Sequence, residues 1–291
     1  MTTFADFDQL TVPVAEGVSL RAAVGGTGTP IVLLHGFPQT HLMWRHVAAD
    51  LAADHTVICP DLRGYGASSK PHSPDGTAYA KRTMAADVVA LARGLGHDRF
   101  ALAGHDRGAL VAFRAGLDHP DAISHLALLD TVPTLDMWSV LHGVDAAVAF
   151  HLYLMAQPAG LPEQLIAGAP DAFFAYFLDI WTRRPEAIPA EVRAEYLRAS
   201  REAVPSIVAD YRASATIDVA DDTAARDAGA KLTMPVTVLA QDWGAVLGYD
   251  ASAVWRAWAP DVTLETVTCG HFMAEEDPAA VSKALRTLLT R

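Results

Sequence analysis

The absences in this chain narrow the field first. No run of eighteen apolar residues occurs, so no membrane-spanning helix is expected. Arg21 is the first basic residue, and residues 1–20 lack the charged-then-apolar pattern of a secretory leader. Lys and Arg number 22 against 34 Asp and Glu, a net charge of −12. No basic cluster offsets it, since Arg183-Arg184 is only a pair. That excess disfavours nucleic acid and membrane surfaces as partners. It also means that an anionic ligand would need positive charge concentrated locally, so any arginine near a pocket is informative. Cysteine is scarce: Cys59 and Cys269 form no metal spacing and are expected to be inert, half-buried thiols in a reducing cytoplasm. No metal or organic cofactor is indicated.

What is present has a clear rhythm. Apolar, β-branched runs at Ile31–Leu34, Thr56–Ile58, Phe100–Ala103, His125–Leu129 and Val236–Leu239 predict buried strands. Helical patterns over His41–Ala53, Thr83–Leu95 and Arg107–Leu117 separate them, giving an α/β class with a mainly parallel sheet. Alternation over Leu10–Val14 and Val18–Val24 predicts an antiparallel hairpin at one edge. The rhythm breaks after Asp130: residues 131–230 are helical and punctuated by Pro158, Pro162, Pro170, Pro185, Pro189 and Pro205. This stretch is expected to be a helical cap inserted between two strands of a core domain made of residues 1–130 and 231–291. Strand patterns resume over Met234–Asp242 and Val262–Thr268, and a closing helix is predicted at Pro278–Leu289.

The most informative stretch is Gly104-His105-Asp106-Arg107-Gly108, directly after the run Phe100–Ala103. It predicts a strand, a turn too sharp for bulky neighbours, and a helix: a nucleophile elbow with aspartate at its apex. A carboxylate with an ordinary pKa near ~3.9 is ionised at neutral pH and needs no base to activate it. It suits displacement at an alkyl carbon, which leaves an ester on the enzyme for water to hydrolyse. Such a nucleophile needs a histidine and an acid further along the chain. His271, in Gly270-His271-Phe272 after the last predicted strand, fits the base. Asp130 and Asp242 both end strands, and spacing alone does not separate them as its acid. In His35-Gly36-Phe37-Pro38 a turn can aim the Phe37 N–H at the site beside the N–H of Arg107, forming an oxyanion hole. His35 itself is equally compatible with a structural and a site role. The loop Asp61-Leu62-Arg63-Gly64-Tyr65-Gly66 is expected to shape the same edge without a catalytic role.

Six segments together resemble one branch of the α/β hydrolases: His35 to His41, Gly104 to Gly108, Leu129-Asp130, Ala156-Gln157-Pro158, Asp210-Tyr211-Arg212 and Gly270-His271-Phe272. That branch holds haloalkane dehalogenases, epoxide hydrolases and fluoroacetate (haloacetate) dehalogenases. The similarity is strongest to the last group and spans nearly the whole chain. It implies the α/β-hydrolase fold with an eight-stranded, mainly parallel sheet, and a homodimer. It also implies Asp106 as nucleophile, His271 as base and Asp130 as the acid.

Most relatives outside the fluoroacetate group place tryptophan after the nucleophile; this chain has Arg107. A guanidinium there can hold a substrate carboxylate in a fork of hydrogen bonds, which favours a haloacid. The resemblance further implies His151 and Tyr211 as hydrogen-bond donors to a departing halide. Tyr153 faces away from them, two residues along the helix from His151.

Two positions depart from the pattern. Leu152 stands where the group has a tryptophan donor, and Leu110 stands where it has a second carboxylate-binding arginine. A charge-assisted hydrogen bond contributes about 1.5–3 kcal/mol, so losing one arginine should weaken carboxylate binding by one to two orders of magnitude. The expected enzyme is a cofactor-independent hydrolytic dehalogenase of small 2-haloacids that favours chloride and bromide over fluoride. The alternatives are an epoxide hydrolase using the same nucleophile and base, and a ligand-binding protein that has lost turnover.

Overall fold

The computed structural model describes Phe4 and residues 6–241 and 248–291. The predicted edge hairpin forms from β1 (Asp8–Ala15) and β2 (Val18–Gly25), and the antiparallel pairing continues from β2 to β4 (His55–Pro60). The remaining strands are parallel: β3 (Thr29–Leu34), β5 (Phe100–His105), β6 (Ile123–Leu129), β7 (Val236–Ala240) and β8 (Val262–Thr266). Their order across the eight-stranded sheet is β1-β2-β4-β3-β5-β6-β7-β8.

Period-two alternation along the central strands divides their side chains between two cores. Val32, Leu34, Phe100, Leu102, Leu126 and Leu128 enter one; Ile31, Leu33, Ala101, Ala103, Ala127 and Leu129 enter the other. Helices α2 (Lys81–Gly94) and α3 (Arg107–Asp118) cover the first face through Met84, Val88, Val111 and Phe113. Helix α1 (Arg45–Leu51) and the closing helix (Pro278–Leu289) cover the second through Val47, Leu51, Val281 and Leu285. Burial on both faces is why these strands read as continuous apolar runs.

Between β6 and β7 the chain departs from the sheet, as its composition suggested. It forms α4 (Thr134–Val140), α5 (Phe150–Met155), α6 (Leu161–Gly168), α7 (Pro170–Ile180), α8 (Ala190–Glu202), α9 (Val204–Ala213) and α10 (Val219–Asp227). A π-helical turn over Ser214–Asp218 joins α9 to α10. Pro162 and Pro170 lie in the first turns of α6 and α7, where a missing N–H costs nothing.

The order of the sheet reverses between β3 and β5. Loops leaving these adjacent strands run in opposite directions and open a crevice at the strands' carboxyl ends. Both cysteines are unpaired and fully buried rather than half-buried, and burial pushes both thiols above their ordinary pKa. No helix among the described residues is long and apolar enough to cross a membrane.

Candidate active site

The elbow is built as its glycines imply. Asp106 caps α3 with φ 50° and ψ −116°, a left-handed conformation that a non-glycine residue adopts only under strain. The turn is tight enough that a Cβ on Gly104 would come 2.3 Å from the Gly108 carbonyl oxygen. One on Gly108 would come 2.3 Å from that of His35, and one on Gly36 would lie 2.5 Å from the Asp106 Cβ. The loops after β3 and β5 therefore touch only because both present bare backbone. That contact lets the Phe37 N–H donate to Asp106 Oδ1 at 2.7 Å. Burial raises the Asp106 carboxyl above its ordinary value, while His271, Arg107 and the backbone N–H groups of Phe37 and Arg107 draw it back. Asp106 is thus not the unperturbed carboxylate that composition alone would give.

His35 has a structural role. Its Nε2 accepts the Leu62 N–H at 3.0 Å, which leaves the proton on Nδ1 to be donated to the Gly36 carbonyl at 3.1 Å. Burial lowers its pKa and keeps it neutral.

His271 approaches from the loop after β8. Its Nδ1 lies 2.6 Å from Asp130 Oδ2, and its Nε2, with no hydrogen-bond partner among the described residues, lies 3.9 Å from Asp106 Oδ2. Asp130 ends β6 with φ 48° and accepts the Gln241 backbone N–H at 2.9 Å and side-chain amide at 2.8 Å. Burial works against the Asp130 charge, but His271 and Gln241 hold it below the ordinary carboxylate value. For His271 the balance is opposite: burial disfavours its charge, yet bonding to Asp130 raises its pKa above 6.5. Of the two aspartates that spacing did not separate, Asp130 is bonded to His271; Asp242 lies outside the described residues.

A cavity of about 120 Å³ opens over this set. One water needs roughly 10–15 Å³ on the same measure, so the space exceeds the five heavy atoms of a haloacetate. Leu110, Leu152, His151 and Tyr211 line it together with Asp106, Asp130, His271 and Arg107. Phe37 does not line it; its buried ring packs against His151 and Tyr211, and only its N–H serves the site. The Tyr211 hydroxyl and His151 Nδ1 are buried without hydrogen-bond partners among the described residues. Burial and the Arg107 charge push His151 down to about 3, so at neutral pH its imidazole is uncharged and carries one N–H. Tyr153 points elsewhere: its hydroxyl bonds the Leu141 carbonyl at 2.6 Å, and the side chain is half-exposed rather than core-packed.

The structure corrects the reading of Arg107. Its guanidinium is not a free fork. Nε and Nη2 bond the two Asp210 carboxylate oxygens at 2.9 Å each, and Nη2 also reaches the Asp210 carbonyl at 3.0 Å and Ser214 Oγ at 2.7 Å. The group lies 4.1 Å above the Tyr211 ring. Only Nη1 has no protein partner among the described residues. Burial opposes the charge, but Asp210 keeps the guanidinium firmly protonated.

Three residues of consequence escaped the sequence. Asp210 belongs to the segment Asp210-Tyr211-Arg212, but nothing in its spacing announces a pairing with Arg107 across 103 positions. Trp181 lines the cavity with its ring 5.0 Å from that of His271, and its backbone carbonyl accepts the His271 backbone N–H at 2.9 Å. Glu276 gathers the N–H groups of Gly270, Arg183 and Arg184 at 3.0 Å each, fixing the base loop against the helical segment. Among the described residues no cluster of His, Cys, Asp or Glu is placed to hold a metal ion.

Comparison with known proteins agrees with this geometry. Residues 29–278 match the model of the alpha/beta hydrolase fold family. The chain is 37% identical to a fluoroacetate dehalogenase of Burkholderia sp over 99% of its own length and 95% of the relative's. It is 34% identical to a soluble epoxide hydrolase of Corynebacterium sp. (strain C12) over 91% and 92% of the two chains. A solved structure from Nostoc sp PCC 7120, described as an alpha/beta hydrolase, superposes with a TM-score of 0.94 at 39% identity, covering 99% of this chain and all of the other.

Proposed function

The chain belongs to the alpha/beta hydrolase fold family, and from that premise we propose that it is a hydrolytic dehalogenase of small 2-haloacids working through an aspartyl ester. Asp106 Oδ2 attacks the halogen-bearing carbon from the cavity side while Oδ1 stays bonded to the Phe37 N–H. The carbon–halogen bond breaks, and the halide leaves toward the Tyr211 hydroxyl and the His151 N–H, donors that have no protein acceptor to give up among the described residues. The carboxylate is held by the remaining Nη1 edge of Arg107, a one-sided contact instead of a full fork.

In the second half, His271 Nε2 takes a proton from water, whose oxygen attacks the ester carbon of Asp106. The Phe37 and Arg107 N–H groups receive the developing oxyanion. Asp130 orients the imidazole and balances its charge. Collapse of the tetrahedral species breaks the ester C–O bond to the substrate, and His271 returns its proton to the departing alkoxide to give the hydroxyacid. The Asp106 carboxyl loses the second water proton to solvent and becomes a carboxylate again. With Leu110 and Leu152 in the cavity, fluoride, the poorest leaving group, suffers most.

The observation that carries this reading is a cationic Arg107 in the wall of the cavity that also holds Asp106 and the His271–Asp130 pair. Halide release from fluoro-, chloro- and bromoacetate tests it, with Asp106→Ala as the control expected to abolish release. No release from any haloacid would overturn it.

One observation favours a second reading. Asp210 neutralises much of Arg107, and the unbonded Tyr211 hydroxyl is suitably placed to protonate an opening epoxide. Diol formation from an epoxide panel, without halide release, is what an epoxide hydrolase would give.

A further inference from the structure

Behind Arg107 lies a buried ion network that neither half of the reaction uses. Asp210 is wholly buried on α9, and its carboxylate serves two cations at once. Oδ1 takes Arg107 Nη2 and the Lys81 ammonium; Oδ2 takes Arg107 Nε and, at 2.6 Å, the Tyr65 hydroxyl. Lys81 is 2% exposed and begins α2; its backbone N–H donates to Asp218 Oδ1 at 2.8 Å, and its Nζ lies 3.4 Å from Asp218 Oδ2. Ser214 closes the ring, accepting from Arg107 Nη2 and donating to Asp218 Oδ2 at 3.2 Å.

The formal charges of Lys81, Arg107, Asp210 and Asp218 sum to zero, but their placement is uneven. Arg107 alone of the four lines the cavity, with both anions and Lys81 behind it. Remove the ammonium, and one guanidinium faces two buried carboxylates, leaving a net negative cluster against the cavity wall. A buried unpaired charge is costly, and its field is poorly screened in a low-dielectric interior.

We propose that Lys81 is a specificity-determining, positioning residue: by occupying Asp210 and Asp218 from behind, it leaves the Nη1 edge of Arg107 with the positive potential that a substrate carboxylate requires. This inference rests on the carboxylate-binding reading of Arg107. It predicts that Lys81 governs the preference for anionic over neutral substrates without acting on the reacting carbon.

The test uses Lys81→Met, Lys81→Arg and the double variant Lys81→Met/Asp218→Asn, which removes one charge of each sign. Acetate, a carboxylate with no leaving group, is titrated by calorimetry, and turnover is compared for chloroacetate and its neutral isostere chloroacetamide. Lys81→Met is expected to weaken acetate at least tenfold and to raise KM for chloroacetate similarly. Its kcat for chloroacetate and its kcat/KM for chloroacetamide should stay within threefold. Lys81→Arg and the double variant should recover most of the loss, and the double variant also answers if Lys81→Met fails to fold. Equal losses for both substrates, unchanged acetate affinity in Lys81→Met, or a double variant that binds acetate at least tenfold more weakly than the wild type would overturn the assignment, and the last of these decides it if Lys81→Met does not fold. Acetate binding by the wild type without halide release from any haloacid would refute the proposed reaction alone; the acetate titrations would still decide the role of Lys81. No acetate binding by the wild type overturns both.

Discussion

The two walls of the cavity are made on different terms. On the sheet side, Asp106, Asp130 and His271 sit on short loops at strand ends, and their contacts are closely specified: the Phe37 N–H on Asp106, Gln241 on Asp130, Asp130 on His271. Two of these residues carry strained backbone, and a Cβ on any of three glycines would come within 2.3 to 2.5 Å of a neighbouring atom. On the helical side the wall is mostly apolar, with Met137, Leu141 and Leu152, and its polar groups are left open: the Tyr211 hydroxyl and His151 Nδ1 have no hydrogen-bond partner among the described residues. In the proposed reaction the first wall would hold the covalent chemistry at one point, and the second would receive the leaving group and the rest of the substrate. The difference teaches that a change on the sheet side should stop a step, whereas a change on the helical side should rescale one.

His271→Gln breaks the sheet wall alone and carries the largest expected effect. Alkylation of Asp106 needs no base, so one equivalent of halide per enzyme should appear in a burst. Ester hydrolysis should then slow by at least about 10³-fold, the order associated with losing a member of a catalytic triad. Rapid-quench halide assay and intact-protein mass, showing the trapped ester, check it. Loss of the burst itself would mean that the two steps do not divide in this way.

Tyr211→Phe breaks the other wall. Removing one hydrogen bond to a developing anion costs about 1.5–3 kcal/mol, so the burst should slow by about 10- to 150-fold. Chloroacetate should suffer more than bromoacetate, and hydrolysis of the ester should be unaffected. Single-turnover rates for the two substrates make the comparison; equal loss in both halves would place Tyr211 with the sheet wall instead.

The smallest effect is pH dependence, no more than tenfold per unit, and it sharpens the contrast within the sheet wall. Burial disfavours a charged His271, but Asp130 prevails and raises its pKa above 6.5. The imidazolium therefore persists beyond that pH, and ester hydrolysis should climb through the neutral range as it deprotonates. Stability runs the other way. The His271–Asp130 pairing contributes fully below the unfolded value near 6.5 and is lost as pH rises through the raised folded value. Melting temperatures of wild type and His271→Gln should thus converge as pH rises above 6.5, while hydrolysis in the wild type rises over the same interval.

Much of the sheet wall was legible in the residues. Gly104 and Gly108 around Asp106 announced a turn that only bare backbone can make, and the closing helix at Pro278–Leu289 falls where its pattern placed it. Strand ends were less legible: β4 extends from His55 to Pro60 around a predicted Thr56–Ile58, because pairing with β2 and β3 recruits flanking residues. The pattern over His41–Ala53 breaks into a 3₁₀ turn at His41–Trp44 followed by α1, a division that period alone does not resolve.

The sequence by itself determined the aspartate at the apex of the elbow and the alternation that stacks a parallel sheet, because turns, strands and helix starts are local and their residue requirements lie side by side. Spacing left open which aspartate meets His271, and only the tertiary structure brings Asp130 into contact with it, bonds His35 to Leu62 and directs two of the Arg107 nitrogens to Asp210. Those outcomes depend on groups brought together from 27 to 141 positions apart. A buried charge takes the partner that folding delivers to it, and no local pattern encodes which partner that will be.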